Sequence, residues 1–208
     1  VLVLINDTEI KIPAAALIDI YTGSEIIEIQ TRAMDRMRKK LESFLPLYPV
    51  TVVYPIPRIK WLYWIDEETG EVSQKRKSPK KGNPYHAFKE LYKIRPFLSH
   101  PNLKFRFVLI DVEEYRFLNG WSKDKKKGSE RYDRIPTEFA EEVCIDCVRD
   151  YMQLIPYELP EEFTVKEFAK AEKIPVRLAG VVLLIFTDLE LVTRIGKKGN
   201  AYIYKVNE

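Results

Sequence analysis

The stretch Leu17-Ile18-Asp19-Ile20-Tyr21-Thr22-Gly23-Ser24-Glu25-Ile26-Ile27-Glu28-Ile29-Gln30-Thr31 decides the fold. Thr22-Gly23-Ser24 reads as a turn that closes an apolar run over 14–21, and that run predicts a buried strand. The next segment, 25–31, alternates cleanly, placing Ile27 and Ile29 on one side of a second strand and Glu28 and Gln30 on the other. Two strands joined this way bring Asp19 and Glu28 side by side at one end of a sheet. Paired carboxylates suit a hard divalent ion such as Mg²⁺, which in turn can activate water and neutralise charge on a phosphodiester.

Outward from this stretch the period changes. Thr31 is a candidate N-cap, and Met34, Met37, Leu41 and Phe44 recur at helical spacing, with Arg32, Arg36, Arg38, Lys39 and Lys40 on the other faces. Pro46 and Pro49 end that helix, and the β-branched run 50–54 predicts a buried strand. Upstream, 1–5 and 8–12 read as strands. Downstream, 60–65 and 71–74 form a hairpin turning at Asp66-Glu67-Glu68-Thr69-Gly70. Residues 84–95 read as helix with Phe88 and Leu91 inward, 105–112 as a strand, and 123–134 as a charged loop. From about residue 135 the pattern becomes three helices (138–154, one opening at Thr164 with Glu167 completing a capping box, and 175–185) followed by a hairpin, 191–195 with 201–206. The expected organisation is therefore a domain over 1–134 and a second over 135–208.

The order of strand with Asp19, strand with Glu28-x-Gln30, amphipathic helix and buried strand resembles the D-x(n)-E-x-K core of the PD-(D/E)XK nuclease superfamily. That resemblance implies an α/β fold with a restriction-endonuclease-like mixed sheet flanked by helices. It implies Asp19 and Glu28 as metal ligands for Mg²⁺ or Mn²⁺, joined by the carbonyl of Ile29, with Gln30 in the usual lysine position. Glutamine there supplies hydrogen bonds but no charge, which leaves catalysis open. Glu25 is an alternative carboxylate and Glu9 a further acidic contributor. The landmarks 26–32 (IIEIQTR), the basic loop 76–82, His100-Pro101-Asn102 and Gly196-Lys197-Lys198-Gly199-Asn200 also resemble an uncharacterised bacterial protein family. In that family a nuclease-like core precedes a winged helix, and a helix precedes the first strand; the start of this sequence shows no such helix.

Composition sets the outer bounds. The chain has 208 residues, 46% hydrophobic and 31% charged, ordinary for a globular protein. Its net charge is only +3, so placement of charge must carry any argument for a polyanionic partner. No apolar run is long enough for a membrane span, and 1–5 lacks the flanks of a signal peptide. The chain opens on Val rather than Met, so upstream residues are expected. Cys144 and Cys147 form a lone CxxC inside an expected helix, with His86 and His100 far off in sequence; buried thiols in a reducing, cytoplasmic compartment are the expectation.

Two basic segments are candidate nucleic-acid contacts. The first is Lys75–Lys81, where Arg76, Lys77, Lys80 and Lys81 can neutralise phosphates while the Ser78 hydroxyl and Gly82 amide bond backbone oxygens. The second is the wing, with Arg194, Lys197 and Lys198. Trp61, Tyr63 and Trp64 are candidates for base stacking, with packing as the commoner role. The third C-terminal helix reads VRLAGVVLLIF over 176–186 with Arg177 its only charge, which counts against deep major-groove reading. The C-terminal domain is thus divided between DNA-backbone contact and a packing or homodimerisation role. Two functions compete: a metal-dependent DNA nuclease, or a catalytically inactive nucleic-acid binder that keeps the nuclease fold. A protein-interaction module ranks third.

Overall fold

A computed structural model describes residues 2–5, 8–11, 18–119 and 130–207. The apolar run expected over 14–17, the side chain of Glu9 and most of the expected loop over 123–134 lie outside these residues. The architecture is α/β with a mixed sheet and a few short helices.

Strands β1 (Leu2–Ile5) and β2 (Thr8–Lys11) form an antiparallel pair. The central sheet runs in the order β3 (Ile20–Tyr21), β4 (Ile26–Ile29), β5 (Val50–Ile65), β7 (Leu103–Phe117), β8 (Glu130–Ile145), and β6 (Arg76–Lys77) pairs with β5. The β3–β4 hairpin is antiparallel, with Ile20 opposite Ile27. Between β4 and β5 lie a 3-10 turn, Met34–Met37, and helix α1, Arg38–Phe44. Such a crossover lets β5 lie parallel to β4, with Glu28 opposite Val52. Met34, Met37, Leu41 and Phe44 are all buried, as their helical spacing predicts. Strands β5 and β7 are also parallel: the Val50 amide bonds the Asn102 carbonyl near one end, and the Leu118 amide bonds the Ile65 carbonyl at the other.

The chain divides into two compact units, and the long strands β5, β7 and β8 run through both. The first unit comprises 1–54, 85–107 and 143–208; the second comprises 55–84 and 108–142. The boundary expected near residue 135 falls inside β8. Residues 138–145 are strand rather than the expected helix, and 148–154 is a 3-10 segment. Local propensity in EFAEEVCI favours helix through its Glu and Ala, but pairing beside β7 overrides it. Cys144 and Cys147 accordingly lie at the end of a strand and just beyond it, and both are exposed rather than buried.

In the first unit, residues 84–98 form 3-10 turns around a short α2 (Phe88–Leu91), kinked at Ile94 before Pro96. Phe88 and Leu91 point inward as expected. The C-terminal elements follow as β9 (Glu162–Thr164), α3 (Val165–Ala171), α4 (Val176–Asp188), β10 (Val192–Lys198) and β11 (Ala201–Val206), with sheet order β10-β11-β9. Thr164 and Glu167 make the predicted capping box, with the Thr164 amide 2.7 Å from the Glu167 carboxylate. Helix α4 buries Leu178, Val182, Leu183, Ile185 and Phe186, and Phe186 meets Phe88 edge-on at 5.5 Å. These helices therefore share one core with residues 84–98. The hairpin turns at Gly199-Asn200, where Gly199 has φ of 62° and Lys198 pairs with Ala201.

Candidate functional site

The hairpin places Asp19 immediately before β3, next to the Ile20–Ile27 pair, so that it meets the end of β4. Asp19 Oδ2 accepts the Ile29 amide at 2.8 Å, and its charge acts on Glu28. Asp19 and Glu28 are thus brought together, as the sequence predicts. Asp19 is exposed, whereas Glu28 is 1% exposed. The alternation expected of β4 holds, and its buried side is the one that carries Ile26 and Glu28, while Ile29 is exposed. A charged face can turn inward here because α1 supplies a cation. Lys40 Nζ lies 2.7 Å from Glu28 Oε2. Glu28 Oε1 is buried and accepts no hydrogen bond among the described residues.

Burial holds the Glu28 carboxyl above its ordinary range. The hydrogen bond and charge of Lys40 offset this only in part, and the Asp19 charge adds to the rise. Gln30 sits just past β4, half-buried, with its amide bonded to the Val53 carbonyl at 2.9 Å. Glu25 is on the other face, bonded by the Thr51 hydroxyl and 4.0 Å from Lys104 Nζ, so it does not join Asp19 and Glu28.

The donor set suits a divalent ion modestly. Mg²⁺ is commonly held by one or two carboxylates with water completing the shell, and the spare acceptor of Glu28 beside exposed Asp19 matches that need. No group of three or more His, Cys, Asp or Glu able to hold a metal occurs among the described residues. Lys40 is the residue missed by the sequence reading. Its place at helical spacing on α1, one crossover away from Glu28, was the available signal.

The basic segments are less free than a solvated loop would be. In the second unit the chain after β6 runs along β5: the Ser78 amide bonds the Lys60 carbonyl at 2.8 Å and the Gly82 amide bonds the Arg58 carbonyl at 2.9 Å. Ser78 is buried and its hydroxyl accepts the Lys80 amide at 3.3 Å. The Gly82 amide is therefore spent as a donor inside the protein, while the Ser78 hydroxyl accepts from the Lys80 amide. Arg76, Lys77, Lys80 and Lys81 remain exposed. Lys75 and Lys77 lie 4.9 and 5.5 Å from the centre of the Trp61 ring, and Tyr63 stacks on Tyr115 at 4.7 Å, so these two rings have packing roles. On the β10–β11 hairpin, Arg194 and Lys197 cover Tyr202 at 4.4 and 4.6 Å, and Lys198 is exposed near the turn.

Comparison with known proteins gives a family without an assigned activity. The chain belongs to the family described as Domain of unknown function (DUF8091), matched over residues 5–146. That match ends one residue after β8. Within the curated proteins, the chain is 31% identical over 113 residues to an uncharacterised protein of Treponema pallidum (strain Nichols). The alignment covers 54% of this chain and only 42% of that relative. No solved structure matches. Among the described residues, no helix is long and apolar enough to cross a membrane.

Proposed function

We propose that the chain is a PD-(D/E)XK-like, metal-dependent nuclease acting on DNA, with its site at Asp19, Glu28 and Lys40. The observation that carries this reading is the buried Glu28 carboxylate, which keeps one oxygen without a hydrogen bond beside Asp19. The order of hairpin, crossover helix and parallel strand supports the restriction-endonuclease-like core. The run β9-α3-α4-β10-β11, with β9 closing the three-stranded sheet, supports a winged helix.

In this reading Asp19, Glu28 and the Ile29 carbonyl would hold Mg²⁺ or Mn²⁺. Bound there, the ion supplies a water of lowered pKa and charge neutralisation on the phosphate. Lys40 contributes from α1 the positive charge that Gln30 lacks, and the Gln30 side-chain carboxamide orients water by hydrogen bonding. The wing and the exposed basic residues 76, 77, 80 and 81 contact the DNA backbone. A second reading keeps the fold as a non-catalytic DNA binder. It is favoured by the 2.7 Å Lys40–Glu28 ion pair, which already neutralises one of the two carboxylates.

The test is cleavage of single- and double-stranded DNA by purified protein with Mg²⁺ or Mn²⁺. The nuclease reading expects cleavage that disappears in Asp19→Ala and in Glu28→Gln while both variants retain the native circular-dichroism spectrum. Absence of cleavage with either metal, together with retained DNA binding, moves the assignment to the second reading.

A further inference from the structure

Glu114 on β7 is fully buried, and three guanidinium groups surround it. Arg116 approaches Oε1 through Nε at 2.6 Å and through Nη2; Arg134 of β8 approaches Oε2 through Nε at 2.9 Å and through Nη2. Arg131 Nε is 3.7 Å from the same Oε2. Each of the first two arginines therefore spends the Nε–Nη2 edge on Glu114. The Nη1 edges of Arg116 and Arg134 make no hydrogen bond among the described residues. Their side chains are 20% and 30% exposed and that of Arg131 is 52% exposed, so these heads reach solvent.

A buried carboxylate needs compensation, but one guanidinium would neutralise it. Here the two arginines that hold it through their Nε–Nη2 edges already outnumber it two to one. Lys60 on β5 adds to the excess, lying in the field of Glu114, Arg116, Arg134 and Lys80; burial chiefly, with those neighbouring cations, holds its ammonium below the ordinary lysine range. A surplus of fixed cations around one carboxylate is the arrangement that an incoming anion would complete. Because Glu114 fixes two guanidinium planes, less side-chain freedom remains to be lost on binding.

The cluster also has a direction. Lys60, Arg116 and Arg134 lie on β5, β7 and β8, three successive strands of one sheet. Strands stand about 4.8 Å apart, so the row spans roughly 10 Å. That is long for a single phosphate and suits a duplex carrying one charge per ~1.7 Å of axis.

We propose that Lys60, Arg116, Arg131 and Arg134, organised by Glu114, form a clamp for the phosphate backbone of double-stranded DNA. The clamp rests on the DNA-directed reading above, but not on catalysis. Arg116 and Arg134 present their outer edges to phosphate oxygens, a bidentate geometry that lysine cannot reproduce. Arg131 acts mainly by charge at the exposed end of the row.

The test is fluorescence anisotropy of the full chain with a labelled duplex of about 30 base pairs over a salt series. Arg131→Gln is expected to weaken binding about three- to tenfold and lower the salt slope by about one. Arg134→Lys, which still neutralises Glu114, is expected to weaken binding similarly while leaving the slope nearly unchanged, because only the forked geometry is lost. Unchanged affinity in both variants, with wild-type melting temperatures, overturns the clamp. So does an absence of duplex binding, or binding of pyrophosphate but not duplex. Patch-dependent binding without any cleavage leaves the clamp standing and removes the nuclease reading; cleavage with patch variants binding like wild type does the reverse.

Discussion

Lys40 Nζ lies 2.7 Å from Glu28 Oε2 across the β4–α1 crossover, while the other oxygen of that carboxylate is buried without a hydrogen bond among the described residues. The pair joins the sheet to its covering helix and fixes a strongly buried carboxylate at this end of β4. It also locates a cation that the strand itself lacks, since position 30 is glutamine.

Lys40→Met removes the partner of a carboxylate that is 1% exposed. We expect a loss of about 2–3 kcal/mol at pH 7, somewhat less than for a fully buried pair because the ammonium reaches solvent. Glu28 already titrates above its ordinary 4.5, so its protonated form contributes stability below 4.5 that is lost as pH rises through the folded value. The variant raises that value further. Urea midpoints should therefore differ most near neutrality and converge below 4.5. A gap independent of pH would separate Lys40 from the ionisation of Glu28.

Gly82→Ala places a Cβ against the carbonyl oxygen of Pro57, a backbone atom that cannot rotate away. The Gly82 amide is bonded to the Arg58 carbonyl at 2.9 Å, so the loop must shift and strain that bond. We expect a cost of about 1–3 kcal/mol in urea unfolding. Gly196→Ala is the control: a Cβ there meets nothing within 4 Å, and its effect should stay within about 0.5 kcal/mol. Equal effects at the two sites would show that close approach to Pro57 does not select glycine at 82.

Cys144 and Cys147 are exposed at the end of β8 and just beyond it. Both should react with a thiol-specific chromogenic disulfide in native buffer, giving two equivalents before any denaturant is added. If reaction waits for unfolding, the strand does not end as described.

What the sequence reveals here is what local chemistry controls. The Thr164–Glu167 capping box, the buried stripe Met34, Met37, Leu41 and Phe44, and the hairpin turn at Gly199 are each written within a few residues. The approach of Asp19 to Glu28 is nearly as local, needing one short turn. Strand β8 is different: over 130–142 it is largely exposed, so no apolar alternation marks it, and its glutamates suggest helix. The inward turn of Glu28 was likewise hidden, because it depends on Lys40 twelve residues away. Around Glu114, only Arg116 is close in sequence; Arg131 and Arg134 come from β8 and Lys60 from β5, beyond the reach of a single sequence window.

Glu114→Gln tests whether that carboxylate is ionised and structural. Burial acts to raise its pKa, but the hydrogen bonds and charges of Arg134 and Arg116 outweigh it, leaving the carboxyl below its ordinary 4.5. Its ionised form therefore contributes stability above 4.5 that is lost as pH falls through the folded value. Glutamine keeps the shape but leaves the guanidinium groups facing one another without the intervening negative charge. We expect a loss of about 2–4 kcal/mol at pH 7. The difference from wild type should shrink on acidification, as protonation makes Glu114 resemble the variant. A gap that stays constant down to the acid transition would mean that the three arginines do not depend on the charge of Glu114, and the clamp would lose the residue that organises it.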